Sequence, residues 1–249
     1  MDLTDKVALV AGGTGLLGTA IARALAGAGA HVAITYLERH DAAKEACAAV
    51  EALGRKAWSV TLDQTDGEAI SAAVKSVVAQ TGRLDILVNN AGWNIPIPYP
   101  DLEALDAAVW DRLFSTNLRG PYLICRAAAP HLKASGAGRI VNIASVAGLN
   151  PGGSSIGYAT SKAGLIHLTR CLAVALAPEV SVNCVAPGLM EGTRMTSRLR
   201  PETVSGALSR AVLKRKVDVE DVAAQVVAFC KNDSATGQVL NIDAGVFFH

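Results

Sequence analysis

The opening 36 residues limit the possible folds more than any other stretch. Lys6 to Ala11 is a short apolar run that passes directly into Gly12-Gly13-Thr14-Gly15-Leu16-Leu17-Gly18. An alanine-rich segment with helical character continues to Ala28, and a second apolar run, His31 to Tyr36, follows. Strand, glycine turn, helix and strand within about 30 residues predict a parallel βαβ unit. Glycines let the backbone take positive φ and approach a pyrophosphate closely, and the free N–H groups of a helix start attract its charge. A glycine-rich turn alone is common; between a strand and a helix it points to a dinucleotide.

The alternation then continues along the chain. Helices are expected at Asp41 to Leu53 and Asp66 to Gln80, with strands at Lys56 to Leu62 and Leu84 to Asn89. A long helical stretch, roughly Leu105 to Ala134, precedes an apolar strand at Arg139 to Ala144. Gly157 to Ala177 reads as a helix, Val180 to Ala186 as a strand, Val219 to Cys230 as a helix and Gln238 to Ile242 as a last strand. Gly188 to Lys216 is rich in Arg and Ser and receives no element. Repeated βα units imply a parallel sheet covered on both faces, and right-handed crossovers favour the dinucleotide-binding strand order. The expected fold is α/β: a Rossmann-like doubly wound sheet of about seven strands ordered 3-2-1-4-5-6-7. With 249 residues, 51% of them hydrophobic, and no linker or low-complexity segment, residues 1–249 are expected to form a single domain.

Charge and cysteine usage narrow the classes of partner. Lys plus Arg, 23, nearly balances Asp plus Glu, 22, so neither nucleic acid nor an anionic membrane is expected as a main partner. Met1-Asp2-Leu3-Thr4 has no leader pattern, and no apolar run reaches the ~18 residues of a membrane span. A soluble, cytoplasmic protein is expected. Cys47, Cys125, Cys171, Cys184 and Cys230 are odd in number and never in C-x-x-C spacing, which predicts reduced core thiols and no metal site.

Chemistry concentrates between Ser145 and Lys162. Tyr158 and Lys162 are four apart on a predicted helix, so both project from one face. A nearby ammonium favours phenolate, so Lys162 is expected to pull the phenol down from about 10 toward working pH. Tyr-x-x-x-Lys alone would fit a surface helix pair equally well. Ser145 adds weight because it ends a buried strand, where ligand chemistry collects in doubly wound folds. A loop with Gly148, Pro151, Gly152 and Gly153 then allows the two hydroxyls to converge on one substrate oxygen.

Several motifs occurring in order make the chain resemble the short-chain dehydrogenase/reductases over nearly its whole length. Gly12 to Gly18 is similar to the family's T-G-x-x-x-G-x-G turn, and Asn89-Asn90-Ala91-Gly92 to its N-N-A-G motif. Asp63, in Leu62-Asp63-Gln64, resembles the acid that holds the adenine amino group, and Pro187-Gly188 the nicotinamide-side loop. Asn117, Ser145, Tyr158 and Lys162 correspond to the catalytic tetrad. The resemblance implies that Tyr158 exchanges the proton, Ser145 bonds the same oxygen, Lys162 binds the nicotinamide ribose and Asn117 holds a water linking Lys162 to solvent. It implies cofactor contacts from Gly12, Thr14, Gly15, Leu17, Gly18, Tyr36, Arg39, Asp63, Gln64, Asn90, Ala91, Gly92, Pro187, Gly188, Met190 and Thr193, beside Tyr158 and Lys162. It further implies a homotetramer or homodimer built through the long helices and the last strand, with Leu165, Leu168, Leu172 and Leu176 compatible with an interface or with core packing.

The chain departs from the family pattern at three places. Ala11 replaces a threonine, Leu16 stands where a glycine is usual, giving Gly12-x-x-Gly15-x-x-Gly18, and Thr193 comes one residue late in Leu189-Met190-Glu191-Gly192-Thr193. The resemblance implies NADP(H) or NAD(H) as cofactor, and the end of the second strand bears on which. A carboxylate there would hold a ribose and repel a 2′-phosphate; Tyr36 is no acid, and Arg39 could reach the phosphate although Glu38 opposes it. The balance favours NADP(H). The expected activity is hydride transfer between this cofactor and a small-molecule carbonyl or secondary alcohol, either a 3-oxoacyl thioester or a sugar, polyol or small alcohol. Trp93, Ile95, Met190 and Met195 suggest an apolar lining with Asn94 and Asn150 as polar anchors, and Arg194, Arg198, Arg200 and Arg210 could meet an anionic substrate. The competing classes are a dinucleotide sensor without turnover and a purely structural protein; an intact tetrad argues against both.

Overall fold

The computed structural model describes residues 1–190 and 192–248. Seven strands form one sheet: β1 Val7–Ala11, β2 His31–Tyr36, β3 Ala57–Thr61, β4 Ile86–Asn89, β5 Gly138–Ile143, β6 Val180–Pro187 and β7 Val239–Ile242. Their order is β3-β2-β1-β4-β5-β6-β7, every pairing is parallel, and Ala8 faces Ile86 where the order reverses. Parallel strands are buried on both faces, and β1 is buried at every position. Ala8 and Val10 enter one core with residues of α1 (Leu16–Gly27), α2 (His40–Glu51) and α8 (Val219–Lys231). Val7, Leu9 and Ala11 enter the other, with residues of α3 (Gly67–Thr81), α5 (Gly120–Ala134) and α6 (Ile156–Ala175).

Local chemistry sets where these helices start. Asp66, Asp106, Ser155 and Asp218 each accept a first-turn backbone N–H, at α3, α4 (Ala107–Phe114), α6 and α8 respectively. The long helix expected from Leu105 therefore begins at Ala107, behind its Asp106 cap. It is also interrupted: Ser115–Arg119 is a π-helical turn between α4 and α5. Between β6 and α8, where no element was expected, lie a short turn of 3₁₀ helix, Thr196–Arg198, and α7, Pro201–Arg210. None of α7 is buried, so it carries no apolar stripe to read. Two cysteine expectations also fail, because Cys171 is exposed on α6 and Cys47 only half-buried on α2. Leu165, Leu172 and Leu176 are buried in the cores, which removes them as an outer face.

Candidate active site

The carboxyl ends of β1, β4, β5 and β6 gather around the reversal between β1 and β4, where doubly wound sheets bind ligands. Gly12 leaves β1 at φ +72°, a left-handed conformation that favours glycine. Gly18 sits against that turn so closely that a Cβ would lie 2.2 Å from the Gly12 carbonyl oxygen. Thr35 Oγ1 accepts the Gly12 N–H at 3.1 Å, and Asn90 Nδ2 donates to the Gly12 carbonyl at 2.9 Å, so the second and fourth strands both fix the turn. Gly15 caps α1 with no side-chain acceptor and no acid in the first turn, and open space lies in front of it. Unpaired helix-start N–H groups facing a gap are what a pyrophosphate requires, so a dinucleotide fits this cradle despite Leu16. Leu16 itself is half-exposed, pointing away from the core.

The remaining cofactor candidates surround this cradle with different freedom. Arg39 Nη1 donates to the Thr14 carbonyl at 3.1 Å, which brings the guanidinium from the end of β2 onto the turn. Tyr36 packs edge-on against His40 at 4.9 Å. Asp63 Oδ1 is occupied by the Thr65 N–H and hydroxyl. Gln64 Nε2 donates to the Thr116 carbonyl at 2.7 Å, so its amide secures the π-helical turn. Gly188 packs on Asp243 at a distance that leaves no room for a Cβ. Met190 is partly buried against the core that includes α1 and α8, and its backbone bridges to Val217. Thr193 Oγ1 is engaged with Thr196. Glu191, between them, lies outside the described residues.

Tyr158, Lys162, Ser145 and Asn117 converge at the end of β5. Ser145 is the residue from which the chain turns into the short helix Val146–Gly148, and Tyr158 and Lys162 are buried on the first turns of α6. Burial pushes the Tyr158 phenol up to about 12, opposed by the nearby Ser145 hydroxyl. Burial likewise pulls Lys162 down to about 8, opposed by the Cys184 sulfur. The expected depression of the phenol by the ammonium is thus reversed in the free site. Lys162 Nζ is 5.9 Å from the Tyr158 ring centroid and donates to the Ile143 carbonyl at 2.9 Å, so desolvation outweighs the pair's attraction. Asn117 occupies the π-helical turn, a distortion that recurs at functional sites. Its side chain accepts the Trp93 N–H at 2.8 Å and donates to the Trp93 carbonyl at 2.9 Å, clamping the loop after β4.

Around Tyr158 the wall is apolar: Trp93, Ile95, Leu113, Ala147 and Met195 pack with it. Met195 Sδ is 3.8 Å from the Tyr158 hydroxyl. Asn150 Nδ2 donates to the Val146 carbonyl at 2.9 Å. Arg198 donates to the Asn94 carbonyl at 3.1 Å, while Arg194, Arg200 and Arg210 are exposed. Three contributors went unread in the sequence: Thr35 inside a strand, Gly13, whose Cβ would strike Ile34 at 2.5 Å, and Arg112, which lies 4.2 Å over the Trp93 ring. A threonine in an otherwise apolar run was the available signal for the first. The other two depend on contacts between distant segments.

Known proteins match this arrangement closely. Residues 6–204 match the family model described as short chain dehydrogenase. The 3-oxoacyl-(acyl-carrier-protein) reductase of Aquifex aeolicus is 36% identical over 250 residues, covering 99% of each chain. The crystal structure of a short chain dehydrogenase from Burkholderia cenocepacia in complex with NADP superposes with a TM-score of 0.91 at 37% identity, covering 99% of each chain. That of NAD+-bound xylitol dehydrogenase gives 0.91 at 30% identity, covering 98% of this chain and 100% of the other. With the sheet order, the glycine turn and the clustered Ser145, Tyr158 and Lys162 in place, the chain belongs to the short-chain dehydrogenase/reductase family, oxidoreductases that use a nicotinamide dinucleotide to interconvert CH–OH and C=O.

Proposed function

We propose that this protein reduces a carbonyl on an apolar substrate with NADP(H), Tyr158 giving the proton. The observation that carries the reading is a buried phenol, Tyr158, one helix turn before the buried Lys162 on α6, with Ser145 at the end of β5 close enough to act on it. A phenol held up to about 12 keeps its proton at neutral pH, so the free site is set as a donor. Ser145 holds the reacting oxygen as charge develops on it, and Tyr158 delivers the proton there. Lys162, buried behind them, is placed to hold ribose hydroxyls, and Asn117 keeps the Trp93 loop in position against the same pocket. Gly12, Thr14, Gly15, Leu17 and Gly18 cradle the pyrophosphate, Asp63 faces the adenine end, and Asn90, Ala91, Gly92, Pro187 and Gly188 flank the nicotinamide. When bound, the nicotinamide supplies the hydride.

Arg39 supports the choice of NADP(H): it is exposed beside the Thr14 carbonyl, and no acid stands at Tyr36 to repel a 2′-phosphate. The lining of Tyr158 supports an apolar substrate body over a polyol, whose every hydroxyl would need a partner. The whole chain acts as one domain in the cytoplasm, and copies assemble as a homotetramer through α5 and α6, where Tyr122 and Val174 are exposed. Among the described residues no helix is long and apolar enough to cross a membrane. Two variants test the reading. Tyr158→Phe is expected to lower kcat by ~100-fold or more with NADPH still bound; unchanged turnover refutes it. Arg39→Ala is expected to weaken NADPH about tenfold relative to NADH; equal affinities would remove the preference.

A further inference from the structure

A line of buried polar side chains crosses the core from β4 through β5 to α6. Asn89 Nδ2 donates to Asn142 Oδ1 at 2.8 Å, and the two residues are register partners in the sheet. Asn142 Nδ2 donates to Thr169 Oγ1 at 2.9 Å, and the Thr169 hydroxyl donates to the Leu165 carbonyl of its own helix at 2.9 Å. Asn142 and Thr169 are both 0% exposed. An amide and a hydroxyl buried where apolar side chains would pack lose their water, and the loss is offset only while they hold each other. Their bond therefore favours one placement of the helix on the strand.

Both ends of that bond lead to the reacting groups. Asn142 precedes Ile143, whose carbonyl accepts Lys162 Nζ, and stands three residues before Ser145. Thr169 follows Tyr158 by 11 residues and Lys162 by seven. At about 100° per residue these offsets put Thr169 within about 20° of each around the α6 axis. Among the described residues two side-chain hydrogen bonds join β5 to α6, this one and that of Lys162. The Lys162 tie is made by a group that the chemistry itself uses; the Thr169 tie is independent of it. Apolar contacts resist separation more than sliding, whereas a hydrogen bond has a narrow length and angle. A reacting group misplaced by about 1 Å can lose ~100-fold in rate, so the placement of α6 matters to the chemistry.

We propose that Asn142 and Thr169 are positioning residues for the reduction: their bond sets the register of α6 on β5, and with it the placement of Tyr158 and Lys162 against Ser145. This rests on the carbonyl-reduction reading above. Fully buried, neither residue reaches substrate or cofactor, and each acts through the strand or helix that carries it.

Two variants separate placement from stability. The double variant Asn142→Leu with Thr169→Val removes both partners at nearly constant shape, and Asn89 Nδ2 keeps Cys125 Sγ, at 3.2 Å, as an acceptor. Exchanging both partners for apolar groups is close to neutral for stability, so its Tm should stay near that of the wild type. Thr169→Ser does the reverse: it keeps the hydroxyl and loses a buried methyl, which lowers Tm. The readout is the first-order rate of NADPH oxidation in a single turnover with saturating cyclohexanone or acetophenone, which does not depend on the fraction of protein folded. The double variant is expected to slow it by about tenfold with NADPH affinity kept, and Thr169→Ser to leave it within about twofold. A double variant at the wild-type rate overturns the proposal, as does a Thr169→Ser variant as slow as the double one. If the wild type reduces neither ketone, hydrogen exchange of residues 156–162 in the free protein separates the two claims. Faster exchange there in the double variant keeps the anchor while the reduction reading falls, and unchanged exchange ends both.

Discussion

Replacing Lys162 by methionine probes the energetics of the site directly. Lys162 is 3% exposed, and burial lowers its ammonium from 10.5 to about 8. That drop corresponds to about 3 kcal/mol against the charged form in the folded chain. Below pH 8 the folded and unfolded chains both carry the charge, and the folded one bears the full cost. Between about 8 and 10.5 the folded chain has released a proton that the unfolded chain keeps, so stability rises with pH; above 10.5 the cost is gone. Methionine has a similar shape and does not titrate. The stability of the wild type minus that of Lys162→Met is therefore expected to climb by about 3 kcal/mol between pH 7 and 10.5. Loss of the bond to the Ile143 carbonyl, about 1–2 kcal/mol, offsets every point alike and leaves the slope untouched. Tyr158 and the buried thiols of Cys125, Cys184 and Cys230, all raised by burial, titrate in both proteins and largely cancel. Urea unfolding of the dinucleotide-free proteins across that range measures the difference. A flat difference would show that Lys162 is solvated as the free amine is, and the account of a desolvated site would be wrong.

Other consequences can be checked independently. Gly18→Ala should disrupt the turn, because its Cβ would meet the Gly12 carbonyl at 2.2 Å, and cost ~2–4 kcal/mol in a denaturant titration; Gly15→Ala, facing open space, should keep the stability within ~0.5 kcal/mol yet weaken dinucleotide binding by fluorescence titration. Asn117→Ala removes the clamp on both polar atoms of the Trp93 backbone and should cost ~2–4 kcal/mol together with a fall in kcat; Asn117→Ala with native stability and native kcat would deny the clamp. A thiol reagent should modify Cys47 slowly, and Cys125, Cys184 and Cys230 only on unfolding, which counting modified thiols against denaturant will test.

The fold was legible because two-sided burial writes continuous apolar runs. Val7–Ala11 or Val180–Pro187 can be found without knowing their neighbours, and the alternation with helices then leaves few topologies. Segments that bury little left no trace. Pro201–Arg210 is helical with every residue at least partly exposed, and its polar, charged face looks like a loop. The π-helical turn at Ser115–Arg119 was hidden for another reason: one extra residue in a turn barely alters the apolar spacing, although it is what places Asn117 under Trp93. Sequence spacing reports which side chains share a face and says nothing of how deep that face lies.

Depth decides the chemistry at Tyr158 and Lys162. At an exposed helix surface the four-residue spacing would let an ammonium stabilise a phenolate, and the pair would meet near neutrality. Buried, each group moves away from its charged form: the phenol to about 12 and the ammonium to about 8. Near pH 7 the phenol is therefore neutral and holds its proton, while the ammonium keeps its charge at the cost of burial. Releasing that proton requires a positive charge or a developing oxyanion close to the phenol, because the Lys162 ammonium lies 5.9 Å from the ring centroid and gives one of its three N–H donors to the Ile143 carbonyl. Proton transfer is in this way conditional on the ligands being present, and a phenol that gave up its proton in the free protein near pH 7, seen as a phenolate absorbance absent from Tyr158→Phe, would contradict that coupling.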